Sequence, residues 1–387
     1  MQREVEILII GGGVAGTTAA ETYRAGGGAG EVVIVSNEAH PLYSRVLLPH
    51  AVKGKISPEK VFLKKAEFYP EKAIETLFGR SVTHVDYGRR VAALDGGEEI
   101  GCRKLVIAAG AKPMGWDVPG ADAKGVLRLQ TYEDAATVAE AVGPETRLAI
   151  VGSGFIGLEF AAIALAKGAK ATVLNRGPRF WTSMFGAEIA AAVQTALEAA
   201  GVEVRNHAKV AAVSGEGRVS GVRLSDGEEI PCDRIGLGIG VGVPMDPFGD
   251  LRGDHGLSAD ASLKAKHHDV WIAGDCAEFE DGKLGGLRHV VGNWTNAMAQ
   301  GRHVGKALLG EDAPYLQLTQ YTTNVISGAN LIFLGECRNI RGSTGAARVI
   351  EAGKKIVEER VLDGRVIGAI LLNAPELRAE AVAKIAA

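Results

Sequence analysis

The chain has 387 residues, with 43 lysines and arginines against 46 acids, a formal net charge of −3 and 47% hydrophobic residues. That balance argues against a nucleic-acid binder or a protein drawn to anionic membranes, and the length supports two to three domains with cores of their own. No apolar run approaches the ~20 residues of a membrane span, and the scattered cysteines (Cys102, Cys232, Cys276 and Cys337) have neither metal nor C-x-x-C spacing, which fits a reducing cytoplasm and no metal site.

In chain order, the apolar residues 4–10 predict a buried strand that runs into Gly11-x-Gly13-x-x-Gly16, a helix over 14–24 and a strand over 31–35. About 140 residues on, a strand over 147–151, the run Gly152-x-Gly154-x-x-Gly157, a helix over 155–167 and a strand over 171–174 repeat this order. The repeat extends further: the segment 99–107 (EIGCRKLVI) resembles 229–237 (EIPCDRIGL), and each follows an acidic hairpin-like turn. A short strand over 269–273 ends at Gly274-Asp275, and a helix follows over 296–309. Beyond 310, strands over 321–326, 331–333, 354–362 and 366–371 and a final helix from Pro375 read as a small α+β domain. The pattern predicts an α/β fold of two Rossmann-like domains, the second inserted in the first. The expected boundaries are 1–112 with 246–310, then 113–245, then 311–387.

Each glycine of such a fingerprint has its own job. The first makes the tight turn, the second lets backbone approach a pyrophosphate, and the third packs helix on strand. The helix N-terminus then offers bare N–H groups to the phosphates. Two such units in one chain imply two dinucleotides held together and electrons passed between them. An acid at the end of the second strand of each unit usually holds ribose hydroxyls. In the first unit Glu38 stands there; in the second the strand ends at Asn175-Arg176 with no acid. Arg176 and Arg179 either pair with a 2′-phosphate or are solvated loop residues, and the missing acid favours NADPH over NADH. Phe180-Trp181 either stacks on the adenine or covers a domain interface, and His267-His268 has no partners for a metal.

With Ala109-Gly110 ending a strand–turn segment and Gly274-Asp275 ending another, the set resembles the FAD-dependent pyridine nucleotide-disulfide oxidoreductases. The stretch 38–48 (EAHPLYSRVLL) is similar to rubredoxin and ferredoxin reductases and to the flavin part of nitrite reductase large subunits. The resemblance implies FAD on Gly11, Gly13, Gly16, Ala109 and Gly110, with Glu38 on the adenosine ribose, Arg45 along the pyrophosphate and Asp275 on the ribityl chain. It implies NAD(P)H on Gly152, Gly154, Phe155 and Gly157, with Glu159 orienting the nicotinamide. Relatives often carry a lysine, paired to that glutamate, where His50 aligns. His50 is then either a partner for Glu159 that titrates near neutrality or a helix-surface histidine. Cys276 reads as packing, and Trp294 as flavin neighbour or core.

No cysteine stands among the first 101 residues, which argues against disulfide reduction. The expected acceptor is a small iron–sulfur protein such as rubredoxin or ferredoxin, or a small molecule. An NAD(P)H oxidase using dioxygen and a flavin-binding subunit of a larger complex are the alternatives, and the chain is expected to be a monomer or homodimer.

Overall fold

Residues 7–10 are all buried, as a strand covered on both faces requires. They belong to Arg3–Ile10, the middle of a sheet whose parallel strands run Ile74–Phe78, Val32–Ser36, Arg3–Ile10, Glu99–Ile107 and Val270–Ile272. The long strand Glu99–Ile107 shares one edge. Its first three residues pair antiparallel with Val91–Leu94, which is joined to Val82–Asp86, and its last three pair with Val270–Ile272. Helices Val14–Ala25 and Trp294–Ala307 lie together beside this sheet. A Cβ built on Gly301 would stand 2.4 Å from the Ala15 carbonyl oxygen, so the two backbones meet only because that residue is glycine. This close packing brings the Gly274-Asp275 turn onto the first turn of the fingerprint helix: a Cβ on Gly274 would lie 3.0 Å from that of Ala15.

This is a computed structural model, and it describes residues 3–386. The chain divides into two units: Met1–Ser44, Glu59–Lys112 and Gly242–Thr319 form one, and Arg45–Pro58, Pro113–Val241 and Gln320–Ala387 the other.

In the second unit a parallel sheet orders Glu203–Arg205, Lys170–Leu174, Arg147–Val151, Arg234–Leu237 and Val126–Leu127, beside a three-stranded antiparallel sheet of Val210–Ser214, Gly221–Leu224 and Glu229–Pro231. The internal repeat read from the sequence is present, with one difference. The strand that is continuous at Glu99–Ile107 is split here into Glu229–Pro231 and Arg234–Leu237. Pro231 has no N–H to extend the ladder, and Asp233 turns out to accept from the backbone and guanidinium of Arg147 at 2.9 and 2.7 Å. The Arg147 contact pulls the Asp233 carboxyl down to about 2.

The last five strands form an antiparallel sheet in the order Gln320–Ile326, Ala329–Gly335, Arg365–Leu372, Lys355–Leu362 and Thr344–Glu351, with the helix Arg378–Ala386 packed on it. Thr344–Glu351 was not among the expected strands. Each of its eight residues is exposed, so it carries no apolar alternation to read. The helices expected over 14–24 and 155–167 run Val14–Ala25 and Phe155–Lys167, while the one expected over 296–309 is Trp294–Ala307. That last helix starts early because the Asn293 side chain caps it, accepting from the Asn296 N–H at 2.8 Å. No described helix is long and apolar enough to cross a membrane.

One buried ion pair ties the last sheet to the nucleotide-type sheet of its unit. Glu358 and Arg360 point to one face of their strand, 2% and 4% exposed, and pair at 2.7 Å. The carboxylate also accepts from the Gly186 N–H at 2.8 Å, at the N-terminus of helix Ala187–Ala199, and Arg360 donates to the Met184 carbonyl at 3.1 Å. Burial pushes the Glu358 carboxyl up despite these partners. Breaking such a pair from one side strands a buried charge at about 3–5 kcal/mol, whereas replacing both partners by apolar residues avoids that penalty. Glu358→Ala is expected to lower the denaturant midpoint of the second unit strongly, and Glu358→Leu with Arg360→Met to recover most of the loss.

Candidate active site

The first fingerprint turn is wedged between its own helix and the end of the neighbouring strand. Gly11 has φ +117° and a Cβ there would stand 2.1 Å from the Ala108 carbonyl oxygen, so no other residue fits. At Gly13, by contrast, no described atom lies within 4 Å of the Cβ position, and the helix starts there without a side-chain cap. Bare N–H groups and open space together are what a pyrophosphate needs. At the end of the second strand Glu38 is half-buried, and one of its oxygens accepts from the Tyr43 hydroxyl. On the other side, Ala109-Gly110 follows Glu99–Ile107, and the Asp275 carboxylate lies 3.7 Å from the Cβ position of Gly292, just before the Asn293 cap. The Gly274 N–H is fixed by Gln300 at 2.7 Å. The amide nitrogen of the Asn293 side chain is buried with no partner among the described residues.

The second turn copies the backbone of the first. Gly152 has φ +108°, and its Cβ position is 2.2 Å from the Gly238 carbonyl oxygen. Its surroundings differ. Asn175, expected at the nucleotide, is 5% exposed and its side chain is hydrogen-bonded to the protein itself. Its amide donates to the carbonyls of Gly177 and Arg179 and to Asn206, at 3.2, 2.7 and 2.8 Å, and its oxygen accepts from Ser153 at 3.0 Å. Asn175 thus anchors the loop that follows. Arg176 is exposed, and Arg179 is half-buried with its Nε unpartnered among the described residues. Phe155, expected at the nucleotide, sits edge-on to Trp181, Tyr321 and Phe333 at 4.5, 5.5 and 5.3 Å.

The partner of Glu159 is Lys53, not His50. Their side chains, 5% and 18% exposed, pair at 3.0 Å. His50 lies in the short helix Leu48–Val52 and Lys53 follows as its cap, so the two are three residues apart on one face. The expected lysine is present, shifted by one helical turn, and the spacing of three was the signal that sequence reasoning missed. Burial and the Lys53 charge lower the His50 pKa, against the opposing pull of Glu159. Both effects favour the neutral imidazole at His50, beside the Lys53–Glu159 pair. Arg45 belongs to the same unit, where it donates to the Gln130 carbonyl at the capped start of helix Tyr132–Ala141.

All four cysteines are free and buried, and burial pushes each thiol up to about 12. Thiols so protonated do not act as nucleophiles. No group of three described His, Cys, Asp or Glu side chains stands close enough to hold a metal.

Two parallel sheets, each with a stripped turn at a helix N-terminus, define a dinucleotide-dependent oxidoreductase. The chain belongs to the pyridine nucleotide-disulphide oxidoreductase family, whose model matches residues 5–301. It is 31% identical over 380 residues, 95% of this chain and 89% of the other, to the ferredoxin–NAD(+) reductase subunit of a benzene 1,2-dioxygenase system from Pseudomonas putida. A rubredoxin–NAD(+) reductase of Pseudomonas putida is 29% identical over 312 residues, 80% of this chain and 81% of its own length. Among solved structures, the ferredoxin reductase for the CYP199A2 system from Rhodopseudomonas palustris matches with a TM-score of 0.86 at 27% identity, covering 95% of this chain and 91% of that one. The resemblance and the α/β fold read from the sequence are both borne out. The family uses FAD and a nicotinamide nucleotide.

The charges around His50 make a test of opposite signs. Lys53→Met removes a charge that depresses the imidazole pKa, so the His50 titration should move up. Glu159→Gln removes one that raises it, so the titration should move down. Ring-proton NMR of the two variants checks this, and shifts of the same sign would contradict the arrangement.

Proposed function

We propose that this protein is an FAD-dependent NAD(P)H reductase that passes hydride from NAD(P)H to FAD and electrons on to a small iron–sulfur protein of the rubredoxin or ferredoxin kind. The observation that carries this is the duplicated stripped turn: one polypeptide holds two dinucleotide cradles of the same backbone and different surroundings. The relatives support the choice of partner, since they are named as ferredoxin and rubredoxin reductases. The buried, protonated thiols support direct transfer without a cysteine relay. Four unpaired cysteines also suit a reducing cytoplasm, where we place the protein.

The FAD domain is assigned to residues 1–112 and 246–310, the NAD(P)H domain to 113–245 and the terminal domain to 311–387. Gly11, Gly13 and Gly16 present backbone to the FAD pyrophosphate, Glu38 accepts from the adenosine ribose, and Asp275 and Ala109-Gly110 hold the rest, with Arg45 assigned from the resemblance. Bound there, FAD supplies a ring that takes a hydride and releases single electrons. Gly152, Gly154 and Gly157 receive the nicotinamide nucleotide. Glu159, charge-balanced by Lys53, orients the carboxamide of the nicotinamide. The second strand of this unit ends without a carboxylate to repel a 2′-phosphate, and Arg176 is exposed to meet one, which favours NADPH over NADH.

Anaerobic titration of the purified yellow protein with each nucleotide, followed by rubredoxin and ferredoxin as acceptors, tests the reading. Bleaching by either nucleotide and fast reoxidation by the iron–sulfur proteins is the expected result. Fast turnover with air alone would identify an oxidase, and a flavin that neither nucleotide bleaches a binding subunit. Arg176→Ala should lower kcat/KM for NADPH about tenfold more than for NADH, the weight of one charge-assisted phosphate contact.

A further inference from the structure

The two cradles differ most at their second glycine. At Gly13 the side kept bare for a pyrophosphate is open, whereas at Gly154 the same side faces the indole of Trp181, whose Cε2, Cζ2 and Nε1 stand 3.8, 3.8 and 3.9 Å from the Cβ position. A phosphate oxygen seated about 2.9 Å from the N–H groups of that turn needs the space the indole fills. From this juxtaposition we propose that Trp181 is the residue that sets nucleotide affinity: its indole covers the phosphate-binding face of the second turn and must rotate away for a pyridine nucleotide to dock. This rests on the assignment of that turn to NAD(P)H.

The surrounding chain holds the cover in place. Trp181 has φ +45°, a left-handed conformation that is costly for a bulky residue and persists only where neighbours impose it. On one side, Asn175 gathers the carbonyls of Gly177 and Arg179, and the Ser153 hydroxyl that binds Asn175 accepts from the Trp181 N–H at 3.1 Å. On the other side, the loop that follows strand Ala329–Gly335 grips the next residues. Asn339 donates from its side chain to the Thr182 carbonyl at 2.6 Å and from its backbone to the Ser183 carbonyl at 2.8 Å. The backbone is pinned at both ends, so the part left to move is the indole about its own side-chain bonds. Phe155 and Phe185 meet it edge-on at 4.5 and 5.0 Å and define its covering position. When only the uncovered fraction binds, the apparent Kd is the intrinsic one divided by that fraction. A cover in place nine-tenths of the time raises Kd about tenfold.

The test uses the FAD-loaded protein and its Trp181→Gly and Trp181→Phe variants. Glycine removes the indole and also accepts the left-handed backbone, so this variant is expected to fold. Stopped-flow reduction by NADH, and calorimetry with NAD+, give Kd for each form. The proposal expects Kd to fall about tenfold in Trp181→Gly and by less in Trp181→Phe, with KM moving far more than kcat. A Kd within twofold of the parent would overturn it, as would weaker binding, which would mark the indole as a platform for the nucleotide. If the parent is bleached by NADH and the variants bind no better, this proposal fails alone. If no form binds either nucleotide, the assignment of the second turn fails and takes the proposal with it.

Discussion

Both halves of this protein depend on one steric constraint. The first glycine of each turn is pressed against a carbonyl from the neighbouring strand, Ala108 on Gly11 and Gly238 on Gly152, at separations where a β-carbon has no room. The contact exists because the strand after the antiparallel excursion returns beside the first strand, so its end delivers a carbonyl to the turn. That return is the crossover that lets a parallel sheet open a crevice at the carboxyl ends of its strands. The helix is thereby drawn tight to the sheet, and its first N–H groups, which like those of any helix lack intrahelical partners, are presented at the turn. The open N–H groups of each turn follow from packing, before any charged side chain is considered.

With the backbone fixed in this way, the two copies have diverged through side chains a few residues downstream. The first keeps a carboxylate, Glu38, steadied by Tyr43. The second has an amide, and the difference is larger than one atom suggests. A carboxylate only accepts, while an amide also donates twice. Asn175 uses that capacity to draw two carbonyls and Asn206 around itself, which folds the following loop back over the turn. The loop then carries Trp181 to Gly154. A residue that reads as the loss of a ribose ligand is, in the folded chain, the anchor that closes the loop.

Much of the fold was legible because buried parallel strands and alanine-rich helices advertise themselves. Residues 7–10 and 148–151 are continuous apolar runs for the same reason that they are covered on both faces. The strand Thr344–Glu351 was not legible, since an edge strand with neither face covered has no pattern to display. The glycines of the two turns could be named because backbone geometry restricts those positions to one residue type. Lys53 was not legible at the position where a lysine was expected, because a helix makes a residue three places on an equivalent neighbour. The inward turn of Asn175 could not be read at all. Its partners lie two, four, 22 and 31 residues away, and only the folded sheet brings Ser153 and Asn206 to it.

The buried cysteines explain why the acceptor is the least legible part of the function. A disulfide relay would require a thiolate close to the flavin, and Cys276, one residue past Asp275, is the nearest in sequence to that role. Its thiol instead donates to the carbonyls of Ile107 and Ala273, sealed in the core and pushed up to about 12. A thiol in that state packs the strand end and carries no electrons. Reducing equivalents then leave by direct transfer to whatever docks, and such encounter surfaces are small and weakly held. They demand proximity and matching charge more than any fixed residue pattern. Cofactor sites, which must grip phosphates and sugars at hydrogen-bond range, write themselves into the sequence in a way that an electron's exit does not.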